Sequence, residues 1–382
     1  MRLTVLALAG ILCPTLVFGQ ADVKNAKGHD LEISDRNIND VALFIAGFEP
    51  SDHSPLKPLT QTPAWKRYQN ELDQGWTKFE KVAVNFKMFA QREITPPFDT
   101  VGTLFYPFSG PDFLFAHIFF PNVRKMVLIG LEKPGSIPVF PRSNDSLQKT
   151  LELYKHAIED VMQLSFFRTL DMNKELANQV IDGTTPILLL FLARSQMTVL
   201  SVTYHKIRPD GTLMPLPYAG RRVAEVVEIK YSAKGDVAPR TLFYLSTNLA
   251  DPALKKNAAV ANFLSRLDSS CVTMVKSATY LMHKSYFSFI RNICLTHSIF
   301  ILQDDSGIAF KYFDKNVWEL QGYGQYTRPI KLFAEFYEPD YFEFFRTTKV
   351  KPLPFRIGYS NPSNLLIAKK KTVLTRKNQS VP

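Results

Sequence analysis

The sequence is poor in cysteine, in metal-ligand spacings and in long apolar runs, and each shortage removes a class of protein. Three cysteines in 382 residues, none in a CxxC pair, exclude a disulfide-stapled scaffold and a thiol redox motif. None of the seven histidines stands in an HxxxH or HxH pattern, so no metal site is read. There is no glycine-rich phosphate loop and no cofactor motif. Beyond the first residues the longest apolar run, Ile187 to Ala193, is seven residues long and ends at Arg194. A bilayer span needs about 20 residues, so this run reads as a core helix. No stretch interleaves basic and aromatic residues as nucleic-acid modules do, and nucleic acid is not expected as a partner.

The N-terminus has the three parts of a cleavable signal peptide: Arg2, an apolar run from Leu3 to Phe18, and Gly19 with Val17 two places earlier. Removal of residues 1–19 leaves Gln20 first and about 363 residues, enough for two domains or one large one. The expectation is an exported chain, periplasmic or extracellular, that is not an integral membrane protein after cleavage; the competing reading is a short membrane anchor. The formal charge is +11, and part of it sits in residues 369–382, with Lys369, Lys370, Lys371, Arg376 and Lys377. That basic tail is either a solvated end or a surface for acidic lipid or anionic polymer. Cys271 and Cys294 remain after cleavage, and in an oxidising compartment they either pair as a disulfide or stay as buried apolar thiols.

Residues 20–100 read as mainly helical. Thr62-Pro63 marks a helix start, and Trp65, Tyr68, Leu72, Trp76 and Phe79 follow at spacings of three and four, a packing stripe. Residues 101–222 form a first α/β half, with a strand at Thr103–Tyr106, a helix from Phe113 to Phe120 and a strand from Lys125 to Leu131. Residues 223–368 form a second half, opening with a hairpin over 223–246 in which Val227, Ile229 and Tyr231 alternate with Glu228 and Lys230. It continues with a strand at Val272–Val275, mostly helix over Ser277–Leu295, and a strand at Ser298–Leu302. The class is α/β (or α+β), with two strand-helix-strand units. Short aromatic strands, Pro138-Val139-Phe140 and Phe310–Phe313, follow the units in parallel places. This pattern fits an internal duplication with a shared cleft, or a chance likeness between two units of one type.

Open α/β sheets bind ligands where strands end and helices begin. Ser109-Gly110-Pro111-Asp112 is such a place: glycine permits close approach, and a helix start offers N–H groups to an anion or is capped by Ser109. Asp304-Asp305-Ser306-Gly307 puts two carboxylates after an apolar strand, where they either act as acid and base or make a turn. Lys276-Ser277 with His283 has the residue types of a nucleophile and base. It lacks a Gly-x-Ser-x-Gly elbow, however, and His283 lies nearly two helical turns away. The aromatic run from Tyr312 to Phe345 is either core or a sugar-stacking surface.

The segments Tyr106-Pro107-Phe108-Ser109-Gly110-Pro111-Asp112, Gln303-Asp304-Asp305-Ser306-Gly307 and Trp318 through Tyr326 resemble those of a group of exported bacterial proteins without assigned function. The resemblance spans most of the chain after residue 19. It implies that the three segments belong to one site or one structural hub, and it brings no activity, cofactor or catalytic residue. Two functions are therefore carried forward. The first is a cell-envelope binding protein whose crevice takes a polar small molecule, a sugar or an anionic group of the envelope polymer, with Ser109, Gly110 and Asp112 as contacts. The second is an envelope hydrolase of a polysaccharide or ester, using Asp304 or Asp305 with Glu132, His283 or Ser109.

Overall fold

The structure, a computed structural model, describes residues 37–94, 102–164 and 182–371. The expected signal peptide and the last part of the basic tail, with Arg376 and Lys377, lie outside the described residues. Asn37 caps α1 (Ile38–Ile45) by accepting from the Asn39 amide, and α1 buries Val41, Ala42, Phe44 and Ile45. α2 (Pro63–Phe89) begins as its sequence predicts. Thr62 Oγ1 accepts from Trp65 N at 3.3 Å, and Pro63 takes a position where no N–H is needed. The aromatic stripe from Trp65 to Phe79 continues through Ala83, Phe86 and Phe89, and all of it is buried.

β1 (Thr103–Tyr106), α3 (Phe113–Phe119) and β2 (Lys125–Gly130) form the first unit. α4 (Asn144–Leu164), α5 (Thr185–Arg194), β3 (Thr198–Ile207), β4 (Leu213–Leu216), β5 (Val226–Ser232) and β6 (Arg240–Ser246) follow. α6 (Asp251–Lys256) and α7 (Ala258–Ser265) lead to the second unit, β7 (Cys271–Val275), α8 (Ser288–His297) and β8 (Ser298–Gln303). β9 (Trp318–Gly324), α9 (Pro339–Thr347) and β10 (Asn364–Lys370) complete the described chain.

The ten strands make one sheet in the order β4-β3-β5-β6-β2-β1-β7-β8-β10-β9. β6, β2, β1, β7 and β8 run parallel, and the flanking strands are antiparallel. Every residue of β1 and β7 is buried, as central parallel strands covered on both faces must be. On one face Phe105, Val127, Cys271 and Ile301 pack with Leu254, Val260, Leu264 and Ile290 of α6–α8. On the other, Phe113 and Phe120 of the α3 region meet Tyr231 and Phe300. The chain steps from β1 to β2 in one direction and from β7 to β8 in the other. The winding therefore reverses at the β1/β7 pair.

Several expectations change. The β5–β6 hairpin forms where it was read, but it adds to the first unit's side of the sheet. Pro138-Val139-Phe140 is not a strand, and Phe310–Tyr312 is a 3-10 turn. The stretch read as mostly helix over Ser277–Leu295 is helical from Leu281, first as two 3-10 turns, Leu281–His283 and Ser285–Phe287, and then as α8; its first residues are not, because Ser277, Thr279 and Tyr280 have φ of 52°, 56° and 55°, which no α-helix admits. Lys369 and Lys370 do not belong to a free tail: they pair with Glu319 and Trp318 of β9, and Lys370 Nζ donates to Thr296 O at 2.7 Å. Cys271 and Cys294 are free, buried thiols, so the disulfide reading is corrected to the apolar one; burial pushes both thiols up.

At Gly130, the last residue of β2, the loops after β1 and β2 approach each other closely. A Cβ there would stand 2.5 Å from Tyr244 Oη, 2.7 Å from Glu132 Oε2 and 2.9 Å from Gly110 Cα. The third contact is backbone and cannot yield cheaply. Gly130→Ala is expected to destabilise the fold by about 1–3 kcal/mol, read as a lower urea midpoint with an unchanged slope.

Candidate ligand pocket at the carboxyl edge of the sheet

Each central strand ends in a loop whose polar side chains are held by its neighbours. After β1, Phe108 and Gly110 take positive φ, 60° and 55°, turning the chain sharply. Ser109 Oγ accepts from Ile129 N at 3.0 Å and so stitches this loop to β2. Ser109 is not the helix cap: Asp112 is, its Oδ1 accepting from Phe115 N at 3.1 Å. The N–H of Gly110 donates to Ile129 O at 3.2 Å, and the Asp112 carboxylate already occupies the helix start, so this segment does not form an anion cradle.

The other carboxylate oxygen of Asp112 accepts from Tyr106 Oη at 3.0 Å and lies 2.8 Å from Lys276 Nζ. Both charged side chains are about 2 % exposed. Lys276 directly follows β7 and also lies over the Phe115 ring, 4.0 Å from its centroid. Burial lowers its pKa, and the neighbouring Asp112 carboxylate opposes that shift.

Asp304 and Asp305 follow β8 and serve other loops. Asp304 accepts from Ser277 N at 2.9 Å, Ser306 N at 3.0 Å and Ser306 Oγ at 2.5 Å. Asp305 accepts from Tyr280 Oη, from Asn364 Nδ2 at 3.0 Å and from Ser360 Oγ at 3.3 Å. The Gln303 amide closes the same segment through Ile308 N at 2.9 Å and Ile308 O at 2.8 Å. Burial, then the Asp305 charge, pushes Asp304 up to about 7, and burial raises Asp305 as well. Glu338 is likewise pushed up to about 7 by burial, and His283, whose Nε2 lies 3.9 Å from Glu338 Oε2, is pushed down to about 4 by burial.

The loops enclose a pocket of about 790 Å³ at the β1/β7 reversal. Ser109, Gly110, Asp112 and Glu132 line it, as do Lys276, Ser277, Thr279 and Tyr359. Asp304, Asp305 and His283 are not among its lining residues. Glu132 is buried, with its Oε2 accepting from Tyr244 Oη at 3.2 Å. Phe108, Leu249, Leu281, Phe287, Leu332 and Phe333 supply an apolar wall. Leu131 and Leu332, also in the lining, are 60 % and 77 % exposed, so the mouth is apolar too. The sequence offered Lys276 only as a base beside Ser277, not as the partner of a carboxylate. Its pairing with Asp112 had one signal, a charged residue directly after an apolar strand. Phe333 had a signal in the C-terminal aromatic run, whereas Ile330, Leu332 and Tyr359 gave none.

The C-terminal aromatics divide by burial: Trp318, Tyr323, Tyr326 and Tyr341 are core, whereas Tyr337 is exposed. Among the described residues no group of three or more His, Cys, Asp or Glu could hold a metal ion, and no helix is long and apolar enough to cross a membrane. No family model, curated protein or solved structure matches the chain.

Two outcomes test this geometry. Lys276→Met alone strands a buried carboxylate and is expected to cost about 3–5 kcal/mol. Lys276→Met with Asp112→Asn, which keeps the cap acceptor, is expected to recover most of that loss in urea unfolding. For the raised acids, the folded chain holds protons that the unfolded chain releases between about pH 4 and 7, so their contribution to stability falls as pH rises through that window. Glu338→Gln should therefore gain on the parent protein between pH 5 and pH 8, by on the order of 1–3 kcal/mol. An equal difference at both pH values would assign the titration elsewhere.

Proposed function

We propose that this chain is an exported binding protein for a small amphiphilic molecule, seated in the pocket at the β1/β7 reversal. The observation that carries the reading is the combination of a buried Asp112–Lys276 pair with an apolar wall in a pocket of about 790 Å³. Drug-sized ligands occupy cavities of roughly this size, with a few fixed polar groups setting their orientation. A polar head, sugar-like or anionic, lies against Ser109, Thr279, Tyr359 and the ion pair, while an apolar body covers Leu281, Phe287 and Phe333. A bare sugar suits the wall poorly, since it would leave most of it without an apolar partner. Export rests on the layout of residues 1–19.

The hydrolase reading has less support. Asp304 and Asp305 spend their oxygens on the loop after β7 and on the approach to and start of β10, and do not line the pocket. The carboxylates that do line it, Asp112 and Glu132, are tied to Lys276 and Tyr244.

Thermal unfolding with octyl glucoside below its micelle concentration, with glucose as the headgroup control, tests the proposal. Octyl glucoside is expected to raise the melting temperature by several degrees, glucose is not, and Leu332→Asp at the exposed mouth should remove most of the shift. Stabilisation by glucose alone, undiminished in the variant, would overturn the amphiphile. A flat response to octyl glucoside, to decanoate and to decylamine would overturn the pocket as a binding site.

A further inference from the structure

Of the three charged side chains that line the sheet-edge pocket, two answer each other and one is left over. Asp112 and Lys276 form an ion pair. Glu132, two residues beyond the end of β2, is 5 % exposed and makes no ion pair among the described residues. Its carboxylate has one hydrogen-bond partner among them, Tyr244 Oη, whose single proton is shared between the Glu132 carbonyl oxygen at 2.9 Å and Oε2 at 3.2 Å. The carboxylate receives the longer and weaker arm of that bond.

The other oxygen, Oε1, has no hydrogen-bond partner among the described residues, yet it is not among the side-chain atoms closed off from solvent. Ser277 Oγ, on another lining residue, is closed off and offers a ligand nothing. Since the rest of Glu132 is nearly covered, Oε1 finds its opening in the pocket that the residue lines. A buried carboxylate with an unmet acceptor and no counter-ion is costly. Against an apolar wall water competes poorly, so a donor brought by a ligand gains more at this oxygen than it would in bulk water. An anion brought to the same place meets a poorly screened like charge.

We propose that Glu132 selects the head group of the pocket's ligand: Oε1 accepts a hydrogen bond from a hydroxyl or an ammonium of the head, and an anionic head is turned away. This rests on the reading of the pocket as a site for an amphiphile and narrows it, keeping a donor-rich, sugar-like head and removing the anionic one.

Calorimetric titration of the full chain with three amphiphiles of equal tail, octyl glucoside, octylamine and octanoate, tests it. Each is kept below its micelle concentration at about pH 7, where the last two are charged. Octanoate should bind about tenfold more weakly than the tighter of the two donors, or worse, since one hydrogen bond to a charged oxygen is at stake. The chain carries a formal charge of +11, so general attraction favours octanoate and cannot produce this order. Glu132→Gln keeps an acceptor for Tyr244 and removes the charge. It should weaken the preferred donor several-fold and tighten octanoate, an opposite pair of changes that a purely structural role would not give. The donor that responds, glucoside or amine, identifies the group as hydroxyl or ammonium. If the variant does not fold, the order of the three on the parent protein decides. The inference is overturned if octanoate binds as tightly as either donor, or if Glu132→Gln leaves the three affinities in the same ratio while Leu332→Asp weakens all of them. The pocket would then remain an amphiphile site without this selection. Binding of none of the three overturns the pocket itself, and the selection with it.

Discussion

An ammonium and a carboxylate, each about 2 % exposed and 2.8 Å apart, join the residue after β7 to the loop after β1. Removing two charges from water costs several kcal/mol apiece, and their attraction repays this only when the remaining hydrogen-bonding capacity is also met. Asp112 meets it through Tyr106 Oη and the first turn of α3, and Lys276 through the face of Phe115. One carboxylate therefore fixes a strand end, a helix start and the neighbouring strand's loop together. The two units wind away from each other on either side of this pair. It holds shut the inner end of a crevice that would otherwise open between them.

A second constraint follows from the sharp turn that brings Lys276 to this position. Phe108 after β1 and Ser277 after β7 both take positive φ, as do Thr279 and Tyr280, each at a cost of about 1–2 kcal/mol for a residue with a side chain. Such turns persist where the surroundings over-determine them. Asp304 takes the Ser277 N–H, Ser306 Oγ takes the Ala278 N–H, and Tyr359 Oη donates to Ser277 O at 2.5 Å. Asp304 and Asp305 thus act one step behind the pocket wall, by holding the loop that carries Lys276, Ser277 and Thr279. Their burial, which raises both acids, is the consequence of being used as anchors.

The strands and helices of both units were legible because their signals are local. Thr103–Tyr106 and Lys125–Gly130 are short apolar runs between turn residues, and Thr62-Pro63 is a cap that needs only itself and Trp65. Ser109, Gly110, Asp112 and Glu132 were legible as pocket residues because strand ends in a parallel sheet converge whatever their sequence. What stayed hidden was pairing at a distance. Nothing local says that Lys276 meets Asp112, that the β5–β6 hairpin joins the first unit, or that Lys369 and Lys370 end a strand covered by β9. The adjacent carboxylates misled for a related reason: chemistry and anchoring use the same residue type, and only the partners tell them apart.

The acids of this fold also pull its stability in opposite directions. Glu93, at the end of the helical layer, accepts from Tyr323 Oη at 2.7 Å and Lys351 Nζ at 2.8 Å, tying that layer to the sheet's far edge. Burial works to raise Glu93, but the hydrogen bonds from Lys351, Tyr323 and Arg92 prevail and hold it at about 2. The stability it lends is present above the ordinary carboxylate pKa and is lost as pH falls toward 2. Asp304 and Glu338, pushed up to about 7, do the reverse, and their cost grows as pH rises from about 4. The same residue type strengthens the fold where cations reach it from a half-open edge and weakens it where it must anchor backbone in the interior. That weakening is accepted at the loops that shape the sheet-edge pocket, where a carboxylate is the acceptor that fixes the strained turn after β7.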